Sequence, residues 1–361
     1  MRLFRLFATA TVVTAVVAST AATAPTRASS PRSSPIAPAS DSADNHIDYV
    51  VAVSVDGLNP DVIQKLGAKK LPTIDMLTNQ GASTLRARTT YESTSTLPNH
   101  TGMVTGLPAA KSYGGHGQLK NSDDGTTIIA ETAGRYVESV FSVAHDRGFS
   151  TSLYASKPKF NFLNRSWDSK NGAKDRGRDH GRDKIDRYVM NETESKVTAR
   201  VVADLKSTPS RFSFVHLAEP DNAGHKYGYM TSRYLSAVER SDAQVGQILA
   251  AVKGSKKLRG RTAVILTTDH GGLGKSHSDE KKSVNFVIPF FVWGHGIKKA
   301  DLYRLNPDYK QPSSSSRPSW SASTQPIRNG AVANLVLDLL DLPAVPGSTV
   351  NPRQTLDVFA K

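Results

Sequence analysis

The sequence predicts an α/β domain with a mostly parallel central sheet and helices on both of its faces. Three observations favour this class: short β-branched and apolar runs, stretches of helical spacing between them, and polar residues gathered just after the runs. Strands that alternate with helices are typical of a parallel sheet covered on both sides. The strands are expected at residues 48–55, 149–155, 211–217, 262–268 and 286–293, and the helices at 71–80, 98–105, 127–147, 192–205, 232–252 and 327–340.

The strand candidates differ in how they are expected to lie in the sheet. TAVILTT at 262–268 and DYVVAVSV at 48–55 are the near-continuous apolar runs of strands that are buried on both faces. The run FVIPFFVW at 286–293 contains Pro289, which has no N–H for a ladder hydrogen bond. Pro289 therefore predicts that this strand lies at an edge of the sheet or bends.

The first 46 residues are expected to lie outside the folded domain. Residues 1–24 have a positive start, an uncharged Ala- and Val-rich stretch and an Ala-x-Ala end, which predicts a secretory signal peptide. An uncleaved membrane anchor is the alternative. Residues 25–46 are rich in Pro, Ser and Ala and predict a disordered tether. The remaining residues 47–361 suffice for one large α/β domain, which we expect to be exported to the medium or the cell wall.

Two segments of that domain depart from core composition. Residues 165–187 are dense in charge and glycine, which predicts a solvated insertion; a basic lid or small cap over an anionic substrate is the alternative. Residues 313–324 are rich in serine and predict a low-complexity loop.

The amino-acid composition excludes several kinds of metal site and nucleophile. The 361 residues include no cysteine, which excludes disulfides, thiolate metal sites and a cysteine nucleophile. Lys and Arg number 46 against 32 acids, so the formal charge is +14. This excess suggests an anionic partner, which charge alone leaves open as a substrate, a nucleic acid or a cell surface.

Polar residues follow four of the predicted elements, where ligands bind in open α/β sheets. Asp56 follows the first strand, and Thr96 stands before Pro98 at a helix start, where an anion can sit. Asp221 and His225 are four residues apart, which places them on one face of a helix. Asp269, His270 and His277 follow the 262–268 strand, with three glycines between them that let the loop fold back.

These residues comprise three Asp, three His and one hydroxyl, which suffice for two metal ions with open positions. Each residue alone has a simpler explanation, since Asp-Gly is a common turn and a hydroxyl before Pro is a common helix cap. Nitrogen and oxygen ligands suit Zn²⁺, with Mn²⁺ or iron as alternatives.

The motifs VAVSVDG, STLPNHTGMVTG, HLAEPDNAGH and TTDHGGLGKSH, in this order, resemble the alkaline phosphatase superfamily, and most closely its nucleotide pyrophosphatase/phosphodiesterase branch. The resemblance runs from about Tyr49 to Gly296 and implies an alkaline phosphatase-like fold. It also implies one metal site of Asp221, His225 and His277, a second of Asp56, Asp269 and His270, and Thr96 as metal-bound nucleophile.

Two residues match the pattern of this branch less closely than the others. Asn121 matches an asparagine that binds a phosphate oxygen in that branch, although its spacing from Thr96 is longer here. The last metal-binding histidine of the branch usually lies far beyond the Asp-His pair, whereas His277 follows at once. His295 is the alternative, and His277 is favoured.

The resemblance implies a secreted hydrolase that cleaves phosphodiester or nucleotide pyrophosphate bonds through a phosphothreonine on two metal ions. Sulfatases need Cys or Ser and a following Arg where this chain has Thr96 and His100. A phosphomonoesterase, a phosphonate hydrolase and a degenerate anion-binding protein are the alternatives. The expected partner is a small anionic phosphate ester such as a nucleotide, without specific nucleic-acid binding or a membrane span after signal cleavage. Candidate substrate contacts are Lys275, Tyr227, Tyr91, Phe160 and Phe162.

Overall fold

A computed structural model of the protein describes residues 46–174 and 181–359. Within these residues, eight strands form one sheet in the order β4-β3-β5-β1-β6-β7-β2-β8. Only β7 runs against its neighbours in this part of the chain, so the mostly parallel sheet is confirmed. The strands are β1 (Tyr49–Val55), β2 (Ala82–Arg88), β3 (Thr151–Ala155), β4 (Arg187–Met190), β5 (Phe212–Leu217), β6 (Thr262–Thr267), β7 (Val287–Gly294) and β8 (Ala300–Asp301).

Helices cover both faces of the sheet, as predicted. Successive side chains of β1 alternate between two apolar cores, with Val50 and Ala52 in one and Val51 and Val53 in the other. Within the described residues the helices are α1 (Pro60–Lys70), α2 (Pro72–Gln80), α3 (Thr96–Thr105), α4 (Ile129–Ala133), α5 (Val140–His145), α6 (Asn161–Ser166), α7 (Glu194–Ser207), α8 (Glu219–Tyr227), α9 (Ser232–Gly254), α10 (Ser283–Phe286), α11 (Leu302–Leu305) and α12 (Val332–Leu339).

The single helix predicted over residues 127–147 is wrong. The structure has two short helices there, α4 and α5, and α4 ends at Gly134, whose φ is 74°. A left-handed residue of this kind closes a helix, and glycine adopts it without a Cβ clash. Ser139 then caps the start of α5 by accepting a hydrogen bond from the Ser142 N–H.

The predicted edge position of the 286–293 strand is also wrong, because β7 lies inside the sheet between β6 and β2. The predicted irregularity is present in the neighbouring strand. Phe290 pairs with Thr84 and Ile288 with Ala87, so two residues of β2 stand opposite the single Pro289. This bulge accommodates the missing N–H of the proline inside a sheet.

The sequence predictions missed the strands β2, β4 and β8 and the helices α1, α6, α10 and α11. β2 reads ASTLRAR and lacks the apolar run that identified the buried strands, and β4 is a half-exposed edge strand of four residues. β8 has only two residues. Short or half-exposed elements of this kind give no periodicity that a sequence pattern can detect.

The segment 165–187 is only partly the solvated insertion that we predicted. Trp167 is fully buried, Ile185 lies in the apolar core and Arg187 begins β4, so both ends of the segment belong to the fold. Residues 175–180 lie outside the described residues, as do the predicted signal peptide and residues 25–45 of the predicted tether. In the described part of the chain, no helix has the length and apolar character needed to cross a bilayer.

Candidate metal centre and active site

The predicted ligands meet at one edge of the sheet. β5, β1 and β6 are adjacent and parallel, so their carboxyl ends lie side by side. Asp56 follows β1, Asp269 follows β6, and α8 starts directly after β5 with Asp221 in its first turn. The topology alone therefore gathers residues that are more than 200 positions apart in the chain.

Gly57 joins the ends of these strands. Its φ is 72°, and a Cβ at this position would lie 3.1 Å from the Asp221 Cα atom. Its N–H donates to Asp269 Oδ1 at 3.2 Å. A side chain here would strain the backbone and push α8 away, so the Asp-Gly pair is more than a turn signal.

One ligand set, which we call the outer group, comprises Asp221, His225 and His277. The two imidazole Nε2 atoms are 3.1 Å apart. Asp221 Oδ1 lies 3.5 Å from Nε2 of His225 and 3.7 Å from that of His277. The His225 side chain is 48% exposed, so this group faces solvent.

The second set, which we call the inner group, comprises Asp56, Asp269 and His270, all fully buried. His270 Nε2 lies 3.4 Å from Asp56 Oδ1 and 3.2 Å from Asp269 Oδ2. Asp221 belongs to this neighbourhood as well, since ligand atoms of Asp56, Asp221 and His270 lie within 4.8 Å of one another. The two groups therefore adjoin through Asp221.

Both groups fit divalent metal ions. Each of the three imidazoles places Nδ1 against a backbone carbonyl, at 2.9 Å for His225, 2.8 Å for His270 and 2.6 Å for His277. Nδ1 is then the donor, and the Nε2 lone pair faces the site, as in metal-binding histidines. Asp56 Oδ1 and Asp269 Oδ2 are buried with no hydrogen-bond partner among the described residues. Buried carboxylate oxygens without donors are costly unless a cation binds them.

The predicted nucleophile lies beside the inner group. Thr96 is the first residue of α3 and is fully buried, with Oγ1 3.5 Å from His270 Nε2. Asn121 also lies next to Thr96 in the structure, because its Oδ1 accepts a hydrogen bond from the N–H of the following residue, Leu97, at 3.0 Å. The structure therefore brings Asn121 to the start of α3 despite the long spacing.

Lys157 is a site residue that sequence reasoning missed. Its Nζ lies 2.6 Å from Asp56 Oδ2 and 2.5 Å from Asp221 Oδ2, between the two groups. Burial lowers the pKa of Lys157, but the two carboxylates outweigh it and raise that pKa above its ordinary value. Lys159 Nζ binds Asn121 Oδ1 at 3.0 Å. Both lysines follow β3 at the ligand-bearing edge, so the strand-end rule could have found them.

His216 on β5 is a second missed residue. Its Nδ1 accepts a hydrogen bond from the Ser156 N–H at 3.3 Å, so its Nε2–H donates to Asp56 Oδ2 at 3.0 Å. Burial raises the pKa of Asp56, but Lys157 and this hydrogen bond hold it well below its usual range. For Asp269, burial and the nearby Asp56 carboxylate outweigh His270 and Lys157 and raise the pKa.

The remaining predicted residues lie around this centre or away from it. Tyr227 and Lys275 are exposed, and the Lys275 carbonyl supports His225. Phe160 and Phe162 are core residues, and Phe160 packs against the His216 ring with centroids 4.2 Å apart. His295 follows β7, and its N–H binds the Thr262 carbonyl at the start of β6, at the opposite end of the sheet.

A mostly parallel sheet with a threonine and two Asp/His sets at its carboxyl edge is the arrangement that the resemblance to the alkaline phosphatase superfamily implies, and the comparisons with known proteins support this superfamily. Within that superfamily, the chain belongs to the type I phosphodiesterase / nucleotide pyrophosphatase family, whose model matches residues 50–320.

Individual relatives match parts of the chain. Human ectonucleotide pyrophosphatase/phosphodiesterase family member 1 is 28% identical over 234 residues, covering 60% of this chain and 23% of that protein. GPI ethanolamine phosphate transferase 1 of Neurospora crassa is 32% identical over 95 residues, covering 25% of this chain and 9% of that protein. The chain thus spans less than a quarter of the length of these curated relatives.

A solved structure shares the fold across the domain. Murine ectonucleotide pyrophosphatase/phosphodiesterase 5, solved as an inactive Thr-to-Ala variant in complex with AMP, superposes with a TM-score of 0.57 at 17% identity. The match covers 86% of this chain and 100% of the murine chain.

Proposed function

We propose that the protein is a secreted, metal-dependent hydrolase that cleaves phosphodiester or nucleotide pyrophosphate bonds, with Thr96 as the nucleophile and two divalent ions as cofactors. The observation that carries this proposal is the buried Thr96 hydroxyl, which lies 3.5 Å from His270 Nε2 of the inner group, next to a second Asp/His set. The names of the relatives and the AMP bound to the murine protein support a nucleotide-type substrate.

The ions would be held by the outer group and by the inner group together with Thr96. Zn²⁺ is the ion that this set of imidazole and carboxylate donors suits best, with Mn²⁺ or iron as alternatives. When bound, two such ions supply positive charge for a phosphoryl group and lower the pKa of a coordinated hydroxyl.

In the proposed reaction, Thr96 Oγ1 loses its proton and forms a bond to phosphorus while the bond from phosphorus to the leaving-group oxygen breaks. The leaving group departs with the electron pair of that bond and takes up a proton. Water then attacks phosphorus, the bond to Thr96 breaks, and the threonine hydroxyl regains a proton. Each attack proceeds in line with the bond that breaks.

The neighbouring side chains would bind the phosphoryl oxygens. Asn121 Oδ1 is fixed by the Leu97 N–H and Lys159, so the Nδ2 donor on the other side of the amide has a defined direction. The Lys159 ammonium adds positive charge beside Asn121, whereas that of Lys157 is paired with Asp56 and Asp221. Preorganised donors of this kind stabilise the charge that develops in the transition state.

Lys159 also favours a second candidate. The sequence offers no arginine close to Thr96, which speaks against a doubly charged monoester. Lys159 brings a cation to Asn121, beside the start of α3, from another part of the chain. This cation can balance the extra charge of a phosphomonoester or a phosphonate, so hydrolysis of one of these is the second candidate.

The test is the rate of the zinc-loaded protein on a nitrophenyl nucleotide diester, a nitrophenyl monoester and phosphonoacetate. We expect the diester to be hydrolysed fastest, and Thr96→Ala to lower its rate at least about a thousandfold, because a nucleophile is lost. Thr105→Ala, in the same helix, is the matched control, and the melting temperature of each variant checks folding. Undiminished activity of Thr96→Ala would exclude Thr96 as nucleophile, and absence of activity in the unaltered protein would favour a degenerate anion-binding protein.

Export is part of the proposal and rests on residues 1–24. We expect the mature protein to start near Pro25, with Ala28 as the other candidate boundary. N-terminal sequencing of the protein recovered from the medium and from the cells tests this.

A further inference from the structure

A cavity of about 420 Å³ lies beside the candidate active site. Its walls include Tyr91 and Glu92, which precede Thr96, and Glu280 and Lys281, which follow His277. Two hydrogen bonds join these loops: Thr94 Oγ1 donates to the His277 carbonyl at 2.5 Å, and His277 Nδ1 donates to the Thr94 carbonyl at 2.6 Å. The cavity is therefore formed by the same two loops that carry the nucleophile and a ligand of the outer group.

Arg317 enters this cavity from a third segment. Its guanidinium carbon lies 5.1 Å from the centre of the Tyr91 ring and 5.6 Å from that of Phe286. The Nε and Nη2 atoms are buried and have no hydrogen-bond partner among the described residues. A guanidinium keeps its charge in proteins, so Arg317 offers a cation with unused donors.

Burial lowers the pKa of Arg317, and the charges of Glu280 and Glu92, the two acids of the cavity, only partly offset it. Neither acid forms an ion pair with Arg317 among the described residues. Glu92 is already engaged by neutral donors, because its Oε1 accepts from the Ala110 N–H at 3.1 Å and from Trp320 Nε1 at 2.9 Å. Its Oε2 accepts from Thr90 Oγ1 at 2.5 Å. The donors of Arg317 thus remain open to a ligand.

Two buried arginines fix the loop on either side of Arg317. Arg88 donates from Nε to the Ser316 carbonyl at 2.9 Å and from Nη2 to the Ser313 carbonyl at 2.7 Å. Arg328 donates from Nη2 to the Pro318 carbonyl at 2.5 Å. Burial lowers the pKa of Arg88 to about 10 and that of Arg328 to about 9, so both stay charged at neutral pH. Their contacts hold Arg317 in place before a ligand arrives, which reduces the entropy lost on binding.

We infer that Arg317 is a specificity-determining residue that binds a phosphate on the leaving group of the substrate. This inference rests on the proposed function. The planar guanidinium fork matches two phosphate oxygens, and Tyr91 and Phe286 hold the plane of the fork. Cleavage of a pyrophosphate bond releases a leaving group that carries a phosphate, whereas a nitrophenyl ester releases a nitrophenolate, which carries none. Arg317 therefore selects pyrophosphate bonds over simple diesters.

The test compares two substrates that share the transferred nucleotide and differ only in the leaving group: thymidine triphosphate and the p-nitrophenyl ester of thymidine monophosphate. For Arg317→Met in the zinc-loaded protein, we expect kcat/KM to fall about 10- to 100-fold on the triphosphate and less than about twofold on the ester. Arg317→Lys should give an intermediate fall on the triphosphate, because it keeps the charge and loses the fork.

Lys253→Met is the matched control. Lys253 is a cation over an aromatic ring, 4.9 Å from the centre of Trp293, at the opposite end of the sheet. Its removal changes net charge by the same amount and should leave both substrates unaffected. An equal fall on both substrates for Arg317→Met, or a fall on neither, would overturn the inference.

A binding measurement separates this inference from the proposed reaction. In the zinc-loaded Thr96→Ala protein, which should not hydrolyse nucleotides, adding Arg317→Met should weaken ADP binding about 10- to 100-fold and leave AMP binding unchanged. Calorimetry gives both constants even if neither substrate is cleaved. Equal effects on ADP and AMP, or no effect on either, would contradict a phosphate site at Arg317.

Discussion

The inner and outer groups use similar ligands in different surroundings. The inner group follows strands β1 and β6, is fully buried, and contains two carboxylate oxygens without donors among the described residues. The outer group is carried by a helix and a loop, and His225 is 48% exposed. A buried site on strand ends cannot rearrange or admit water easily, whereas an exposed one can do both. The inner group should therefore tolerate ligand loss far less than the outer group.

The largest effect is expected from Asp269→Asn in the inner group. The change removes a charge that no water can replace, so we expect the loss of one bound ion per chain and at least about a thousandfold lower activity. Metal analysis together with diester hydrolysis checks this. Asp279 is exposed in the loop after His277, so Asp279→Asn is the control and should retain both the bound ions and the diester hydrolysis. A variant that kept two ions and most of its activity would remove the distinction between the groups.

A smaller and reversible effect is expected from His225→Ala in the outer group. Metal affinity should fall at least about a hundredfold, because the loss of a ligand costs no less than the loss of a supporting partner. Since the position is open to water, excess Zn²⁺ should restore activity to within about tenfold of the unaltered protein by mass action. A zinc titration of activity measures this. If no Zn²⁺ concentration restored the activity of His225→Ala, the outer group would tolerate the loss of a ligand no better than the inner group.

The smallest effect concerns the support of α8 behind the outer group. Glu194 is buried, with Oε2 accepting from the Glu219 N–H at 2.6 Å and Oε1 from Ser241 Oγ at 2.8 Å. Burial raises its pKa to about 7. The folded state therefore holds this proton to higher pH than the unfolded chain, whose pKa is about 4.3. The resulting stability is complete below that value and is lost as pH rises to about 7.

Glutamine does not titrate, so we expect Glu194→Gln to remove this loss of stability. Between pH 5 and pH 8, the free energy of unfolding of the unaltered protein should fall by up to about 3 kcal/mol more than that of Glu194→Gln. Urea unfolding at both pH values measures it, and because both proteins share the metal ligands, their difference isolates Glu194. The exposed Glu192→Gln should change neither value. A pH dependence that persists in Glu194→Gln would show that the buried carboxyl does not titrate in this range.

Residues of both groups were predictable from the sequence because each set includes ligands close together in the chain. Asp269, His270 and His277 lie within nine residues, and Asp221 and His225 are one helical turn apart. Lys157 and His216 lie 101 and 160 positions from Asp56, and the sequence offered only their positions at the ends of predicted strands. Only the order of strands in the sheet brings them to that carboxylate, and strand order cannot be read from local spacing.

The fold was predictable to a similar extent. Strands that are buried on both faces, such as β1 and β6, have near-continuous apolar sequences, and this pattern is visible in the sequence. β2 and β4 have no such run because they are partly exposed. The 127–147 segment misled the prediction, since an apolar pattern at helical spacing continues across Gly134, where the helix ends.

The attachment of the serine-rich loop has a consequence for how its sequence can change over time. Arg88, Arg328 and Gln325 hold the loop through main-chain carbonyls, at Ser313, Ser316, Pro318, Ser319 and Ala322. Every amino acid carries that carbonyl, so most positions of the loop are free to mutate without losing its path. The side chains of the loop can therefore change during evolution while residues outside it preserve its conformation. A segment of low sequence complexity thus remains an ordered wall of the cavity.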